Sequence, residues 1–190
     1  MNDISETAAA SSAEASGGRG TVGMTDLDGL ARRLRLLEDE RDVLATLHRY
    51  GHALDYGAEA GWVGCFTADA RYEVREPGNG TAGRVRAYDG RDELAAFAAR
   101  HTRAPEHFHK HVVVDPMIAV DGDRAIAVSY FLRVDQAGGE RVVYAFGRYR
   151  DELVRGEDGR WRFAVRVAEV ESRRARPAPR RDRPAPRRGR

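Results

Sequence analysis

Arg124-Ala125-Ile126-Ala127-Val128-Ser129-Tyr130-Phe131-Leu132-Arg133-Val134-Asp135 reads as a single strand, and the fold class turns on it. Ile126, Val128, Tyr130 and Leu132 alternate with Ala127, Ser129, Phe131 and Arg133, the period of two that sends successive side chains to opposite faces of a sheet. Outward from it, His107–Val120, Glu140–Val154 and Arg160–Glu171 read the same way. In the last of these, Trp161, Phe163, Val165 and Val167 alternate with Arg162, Ala164, Arg166 and Ala168. The connections Asp121-Gly122-Asp123, Ala137-Gly138-Gly139 and Glu157-Asp158-Gly159 each offer a glycine where a positive φ is expected. Four strands joined by such turns predict an antiparallel meander with one face on a core.

Helical spacing precedes the meander. Leu30, Leu34 and Leu37, then Val43, Leu47, Tyr50 and Leu54, recur every three or four residues, which predicts a long amphipathic helix. Glu38–Arg41 is the place for a break in it, and Gly57 is its stop. Ala60–Phe66 reads as a short second helix. Arg71–Glu76 and Gly83–Asp89 read as strands around the turn Gly78-Asn79-Gly80. Asp89-Gly90-Arg91-Asp92 opens a third helix with Leu94, Phe97 and Ala98 on its face and Pro105 beyond its end. The order is α+β: about six antiparallel strands in a strongly curved sheet, packed on a long N-terminal helix and two shorter ones. The space between helix and curved sheet is a usual place for a ligand.

A chain of 190 residues favours one domain between two poorly structured ends. Residues 1–23 are rich in Ala, Ser, Gly, Thr and Glu and read as a disordered extension, with Met24 as a second possible start of translation. They lack a basic region followed by an apolar one, so no secretory signal is expected. The domain is expected over 24–172. Residues 173–190 carry nine Arg, one Asp and four Pro and read as a disordered basic tail. The chain's +2 less the tail's +8 leaves −6 for residues 1–172, so nucleic-acid binding by the folded domain is disfavoured. No apolar run is long enough to span a membrane. The single cysteine, Cys65, lies in an apolar run and reads as a small core residue; a lone thiol agrees with a reducing cytoplasm, the expected location.

Two segments carry candidate chemistry. Asp55 ends the long helix in His48-Arg49-Tyr50-Gly51-His52-Ala53-Leu54-Asp55, and His111 opens a strand in His107-Phe108-His109-Lys110-His111. A carboxylate and an imidazole meeting in an apolar cavity form a proton-transfer site that needs no cofactor. A carboxylate is disfavoured at a helix C-terminus, so Asp55 calls for a partner, which His111 or a backbone amide could supply. Tyr50, Tyr130 and Tyr144 are candidates for holding a substrate oxygen, or else core residues. The run His107, His109, His111 would share a strand face and invites a zinc reading, with Asp55 as a further ligand. Against it, the run opens a strand just after Pro105, where regular geometry is least secure, and no metal is expected. His48 and His52 read as exposed helix residues. No phosphate-binding loop, dinucleotide fingerprint or nucleophile elbow occurs.

Over about residues 30–171 the chain resembles the SnoaL-like group of the nuclear transport factor 2-like superfamily. The resemblance rests on Tyr50-x4-Asp55, Trp62-x3-Phe66-Thr67-x-Asp69-Ala70, His111-x3-Asp115-Pro116, Val120-Asp121-Gly122-Asp123-Arg124-Ala125, Gly147-Arg148-Tyr149-x-Asp151-Glu152-Leu153 and Asp158-Gly159-x-Trp161. It implies a cone-shaped α+β barrel and no metal. By position, Asp55 and His111 fall where scytalone dehydratase-like proteins hold a catalytic Asp and His. The second histidine of that dehydratase matches Asp135, and its Ser/Asn pair falls near Val143 and Ala145, so scytalone is not the expected substrate. Asp115 stands where many members have Asn, and reads as a turn residue.

The leading expectation is a cofactor-independent dehydratase, isomerase or cyclase acting on a hydrophobic, oxygenated, polyketide-like metabolite, with a homodimer as the expected assembly. The rival is a non-catalytic ligand-binding or structural subunit like the small subunit of ring-hydroxylating dioxygenases. Fold alone does not choose between them.

Overall fold

A computed structural model of the chain describes residues 24–78, 83–137 and 140–174. The expected extension 1–23, most of the basic tail, Asn79 and Gly80 of one expected turn and Gly138 and Gly139 of another lie outside these. The order is α1 (Met24–Asp55), α2 (Glu59–Val63), β1 (Phe66–Glu76), β2 (Arg84–Asp89), α3 (Gly90–Arg100), β3 (His109–Asp121), β4 (Arg124–Ala137), β5 (Glu140–Arg155) and β6 (Trp161–Arg173). The chain divides into two units, Met1–Leu34 and Arg35–Arg190. In the first, the described residues are helical and Leu27, Leu30 and Leu34 are exposed.

In the second unit α1 continues without the interruption foreseen at Glu38–Arg41. Asp39 is tied there to the sheet: its carboxylate accepts from Arg155 Nη1 at 2.6 Å and Nη2 at 3.1 Å. The apolar face begins to be covered only at Val43. Leu37 is exposed, whereas Val43, Leu47, Tyr50 and Leu54 are buried. Periodicity defines a face but not how far the sheet reaches along it. The second helix is shorter than expected, because Phe66 already opens β1 and pairs with Phe163.

The sheet runs β2-β1-β6-β5-β4-β3. Four of its pairings are antiparallel, as the meander predicts, but β1 and β6 run parallel, so the sheet is mixed. The reason is the crossover. Helix α3 carries the chain from β2 back to the opposite edge, so β3 starts in the same sense as β2, and three further reversals leave β6 aligned with β1. Pro116 is tolerated inside β3 because that strand is an edge. Asp115 has φ 47° at a register shift against β4, so it is the left-handed residue of a bulge.

Two departures from simple alternation decide which side chains face the helices. In β4 the buried set is Ala125, Ala127, Ser129 and Phe131, while Ile126 and Tyr130 are exposed. The inward set is small as far as Ser129 and ends in Phe131, while the large side chains Ile126 and Tyr130 lie outside. In β6, Ala164 is an extra residue between Phe163, paired with Leu153, and Val165, paired with Glu152. A one-residue slip reverses every later side chain. Trp161 and Phe163 face the core, but beyond the bulge Arg166 and Ala168 do. Arg166 is fully buried, its guanidinium 3.7 Å from the Tyr149 ring centre and 4.0 Å from that of Tyr50. Asp151, its register partner on β5, lies 3.6 Å away. Burial pushes the Asp151 carboxyl up to about 7, against the opposing pull of Arg166.

Candidate active site

The last turn of α1 lies against the start of β3. Gly51 permits the approach: a Cβ there would stand 2.9 Å from the carbonyl oxygen of His111. Gly57, with φ 70°, ends the helix just after Asp55. Asp55 is buried and meets β3 three times. Its Oδ2 accepts from the His111 backbone N–H at 3.0 Å, its Oδ1 lies 2.6 Å from His111 Nδ1, and His109 Nε2 lies 3.3 Å from Oδ1. Burial pulls the Asp55 carboxyl upward, but the hydrogen bonds and charge of His111 outweigh it and hold the group below its ordinary value. The helix-end carboxylate thus has both partners foreseen for it, the imidazole and a backbone amide.

A carboxylate only accepts, so the His111 ring donates from Nδ1 and keeps the lone pair of its neutral form on Nε2. The ring lines a cavity of about 230 Å³ between helices and sheet, with Tyr50, Tyr72, Phe131, Arg133 and Tyr144 among its walls. On the other side of the ring, His48, His52, Asp55 and Tyr56 border an outer hollow of about 480 Å³. His48 and His52 are exposed, as expected.

The three tyrosines separate. The Tyr50 hydroxyl donates to that of Tyr72 at 3.1 Å, and both line the cavity. Tyr144 lines the cavity and its mouth. Tyr130 points away on the outer face of β4, 55% exposed, so its expected place on the wall is corrected. Tyr72, His101 and Arg133 were not foreseen. Tyr72 shares a face of β1 with Ala70, and this alternation was the available signal. Arg133 could be assigned to the cavity only once the inward face was known.

His101, at the C-cap of α3, donates from Nδ1 to the carbonyl oxygen of Thr102 at 2.8 Å, and its ring centre lies 5.2 Å from His109 and 5.5 Å from His111. Burial, with the charge of His111, pushes His101 down to about 3. Burial, with the charge of Arg133, pushes His109 down to about 4. One nitrogen from each of His101, His109 and His111 lies within 4.8 Å of the others; His107, His109 and Asp135 form a second such group. Either spacing could receive a metal ion. The Arg133 charge that depresses His109 opposes a cation at the shared member. Cys65 is buried and its thiol is pushed up to about 11 by that burial, which fits a core side chain and not a nucleophile.

Residues 35–167 match the SnoaL-like domain, and the chain belongs to that family. The fold is that of nuclear transport factor 2-like proteins. An NTF2-like protein with a cystatin-like fold from Novosphingobium aromaticivorans is 26% identical, with 78% of this chain and 92% of that one covered and a TM-score of 0.65. A protein from the same organism, assigned as the beta subunit of an aromatic-ring-hydroxylating dioxygenase, is 22% identical, with 73% and 93% covered and a TM-score of 0.62. ActVI-ORFA of Streptomyces coelicolor is 22% identical, with 70% and 96% covered and a TM-score of 0.55. No curated protein matches the chain in sequence. Among the described residues, no helix is long and apolar enough to cross a membrane.

Proposed function

We propose that this protein is a small-molecule enzyme that moves a proton with His111. The observation that carries the reading is the 2.6 Å contact between the buried Asp55 and Nδ1 of a ring that lines a cavity of mixed polar and apolar walls. Asp55 holds the ring in the tautomer whose Nε2 is basic, and stabilises the imidazolium that forms when a proton is taken. The Tyr50–Tyr72 hydroxyl pair and Tyr144 supply donors for the oxygen that gains charge. Removal of a proton beside a carbonyl, or protonation of a leaving hydroxyl, is common to dehydration, isomerisation and cyclisation, and needs no cofactor. The substrate is an apolar oxygenated metabolite, of the kind the SnoaL-like resemblance implies for polyketide cyclases.

The test is a panel of β-hydroxy ketones and β,γ-unsaturated ketones followed by enone absorbance. His111→Ala and Asp55→Asn are each expected to lower turnover by roughly a hundredfold or more, with the double variant little worse than the poorer single one. Full activity in His111→Ala would sink the reading.

A second reading is a non-catalytic subunit, and one observation favours it. Met117, Ile126, Tyr130 and Phe146 are exposed on β3, β4 and β5, and the fold is shared with the dioxygenase beta-subunit assignment. The same surface supports a homodimer in the first reading. Sedimentation of Ile126→Lys tests this: a dimer turned monomer supports self-association through this face, and an unchanged sedimentation coefficient rejects it.

A further inference from the structure

Arg133 is the register partner of His111 across β3 and β4. Side chains directly opposite on neighbouring strands rise from the same face with Cβ atoms about 5 Å apart. The two side chains therefore leave the same face of the sheet, and both line the cavity. Nε and Nη2 of Arg133 donate to Asp135 at 3.0 and 3.2 Å, and the Tyr144 ring centre lies 5.2 Å away. Among the described residues no acceptor meets Nη1. Arg86, from β2, lines the same cavity; it donates from Nη2 to Glu76, and its buried Nε has no partner. Arg173, from β6, grips Glu76 with both terminal nitrogens at 2.9 and 3.0 Å.

The cavity opens into a wider hollow of about 660 Å³ through Glu76, Arg86, Arg133, Tyr144, Val170 and Arg173. Arg174 and Glu171 complete the charged lining of that mouth. Four guanidinium groups stand there against Glu76, Glu171 and the Asp135 paired with Arg133, an excess of +1. Asp135 holds one edge of Arg133, and Glu76 holds Arg173 by both terminal nitrogens and Arg86 by Nη2, which leaves Nη1 of Arg133 and Nε of Arg86 unspent. A guanidinium fixed in this way meets a carboxylate with little further loss of side-chain freedom.

We propose that Arg133 and Arg86 form a carboxylate-binding subsite beside His111, so that the substrate is an anionic molecule: a one- or two-ring apolar body carrying a carboxylate. The cavity volume, about that of eight waters of liquid, admits a body of that size. The inference rests on the proton-transfer reading, since it seats the substrate in the same cavity. The charged group meets the arginines while the carbon skeleton lies between His111 and the Tyr50–Tyr72 pair.

Binding alone separates the two ideas. Calorimetric titration of the full chain with 2-naphthoate and its neutral isostere 2-naphthamide is expected to show at least tenfold tighter binding of the acid, with the gap narrowing as salt rises. The Arg133→Gln/Asp135→Asn double variant removes the pair together and leaves no unpaired buried carboxylate. It is expected to bind the acid no better than the amide, while its affinity for the amide stays within threefold of the parent. His111→Gln should keep the preference for the acid whatever it does to turnover, so loss of turnover with retained preference speaks only to the proton-transfer step. If the double variant does not fold, Arg133→Lys keeps the charge and loses the fork, and a severalfold drop for the acid alone is expected. Equal binding of the two probes by the parent, no binding of either at millimolar concentration, or an undiminished preference in the arginine variants overturns the subsite.

Discussion

Asp55→Asn keeps the shape of the side chain and replaces one acceptor oxygen by an NH2 group. Asp55 now accepts from the His111 backbone N–H at 3.0 Å and from Nδ1 at 2.6 Å. An amide has one oxygen for these two donors. The backbone cannot give way, so the oxygen stays with the N–H and the NH2 faces Nδ1. The imidazole answers by moving its proton to Nε2, and the basic lone pair leaves the cavity side. The cost can be sized: two charge-assisted bonds of about 1.5–3 kcal/mol become neutral ones of about 0.5–1.5 kcal/mol, a loss of about 2 kcal/mol for the pair. In a domain of this length that is a Tm lower by about 4–8 °C. The loss depends on pH with a definite sign. The folded carboxyl lies below its ordinary value, so its contribution is present above the unfolded pKa and disappears as pH falls through the folded one. Parent and variant melting curves therefore converge in acid. Long-range 1H–15N correlation of the His111 ring reads the tautomer without any substrate: Nδ1–H in the parent, Nε2–H in Asp55→Asn. An Nδ1–H ring that persists in the variant, or a stability deficit that is the same at every pH, refutes this account of the pair.

Further expectations concern packing, acid stability and metal. Gly51→Ala would ordinarily stabilise a helix by about 1 kcal/mol, but its Cβ would stand 2.9 Å from the His111 carbonyl oxygen, and an overpacking cost of about 1–3 kcal/mol turns this into a net loss of up to about 2 kcal/mol; a lower urea midpoint at unchanged slope is expected, and a higher one counts against the close approach. His109, near 4, and His101, near 3, are held below the ordinary 6.5, so the unfolded chain binds more protons and stability falls as pH drops from about 6.5 to 4. Asp151, raised to about 7 from 3.8, acts in the opposite sense over this window; Asp151→Asn should steepen the acid loss and His109→Gln should flatten it, both read from urea unfolding against pH. Elemental analysis of purified protein should find no stoichiometric transition metal, because Arg133 faces the imidazole cluster; about one metal per chain, lost in His109→Ala, would contradict this.

Local pattern alone was enough for the element order, the meander and two of its glycine turns, because periods of two and 3.6 and positive-φ residues are properties of short windows. Gly122 and Gly159 have φ of 56° and 74° where turns were read. The Asp55–His111 meeting was also legible, since one residue closes a helix, the other opens a strand, and a helix-end carboxylate needs a partner. Facing was not legible. In β4 both alternating sets are apolar enough to form a core, and only the packing of the assembled sheet shows that Phe131 and Arg133 turn inward and Tyr130 outward. In β6 a single extra residue, Ala164, reverses the strand and buries Arg166, which by strict alternation belongs opposite Trp161 and Phe163. The parallel pairing of β1 with β6 and the gathering of Arg86, Arg133 and Arg173 at one mouth join residues far apart in the chain. Such placements depend on strand order and on a one-residue register shift, and no short window of sequence contains either.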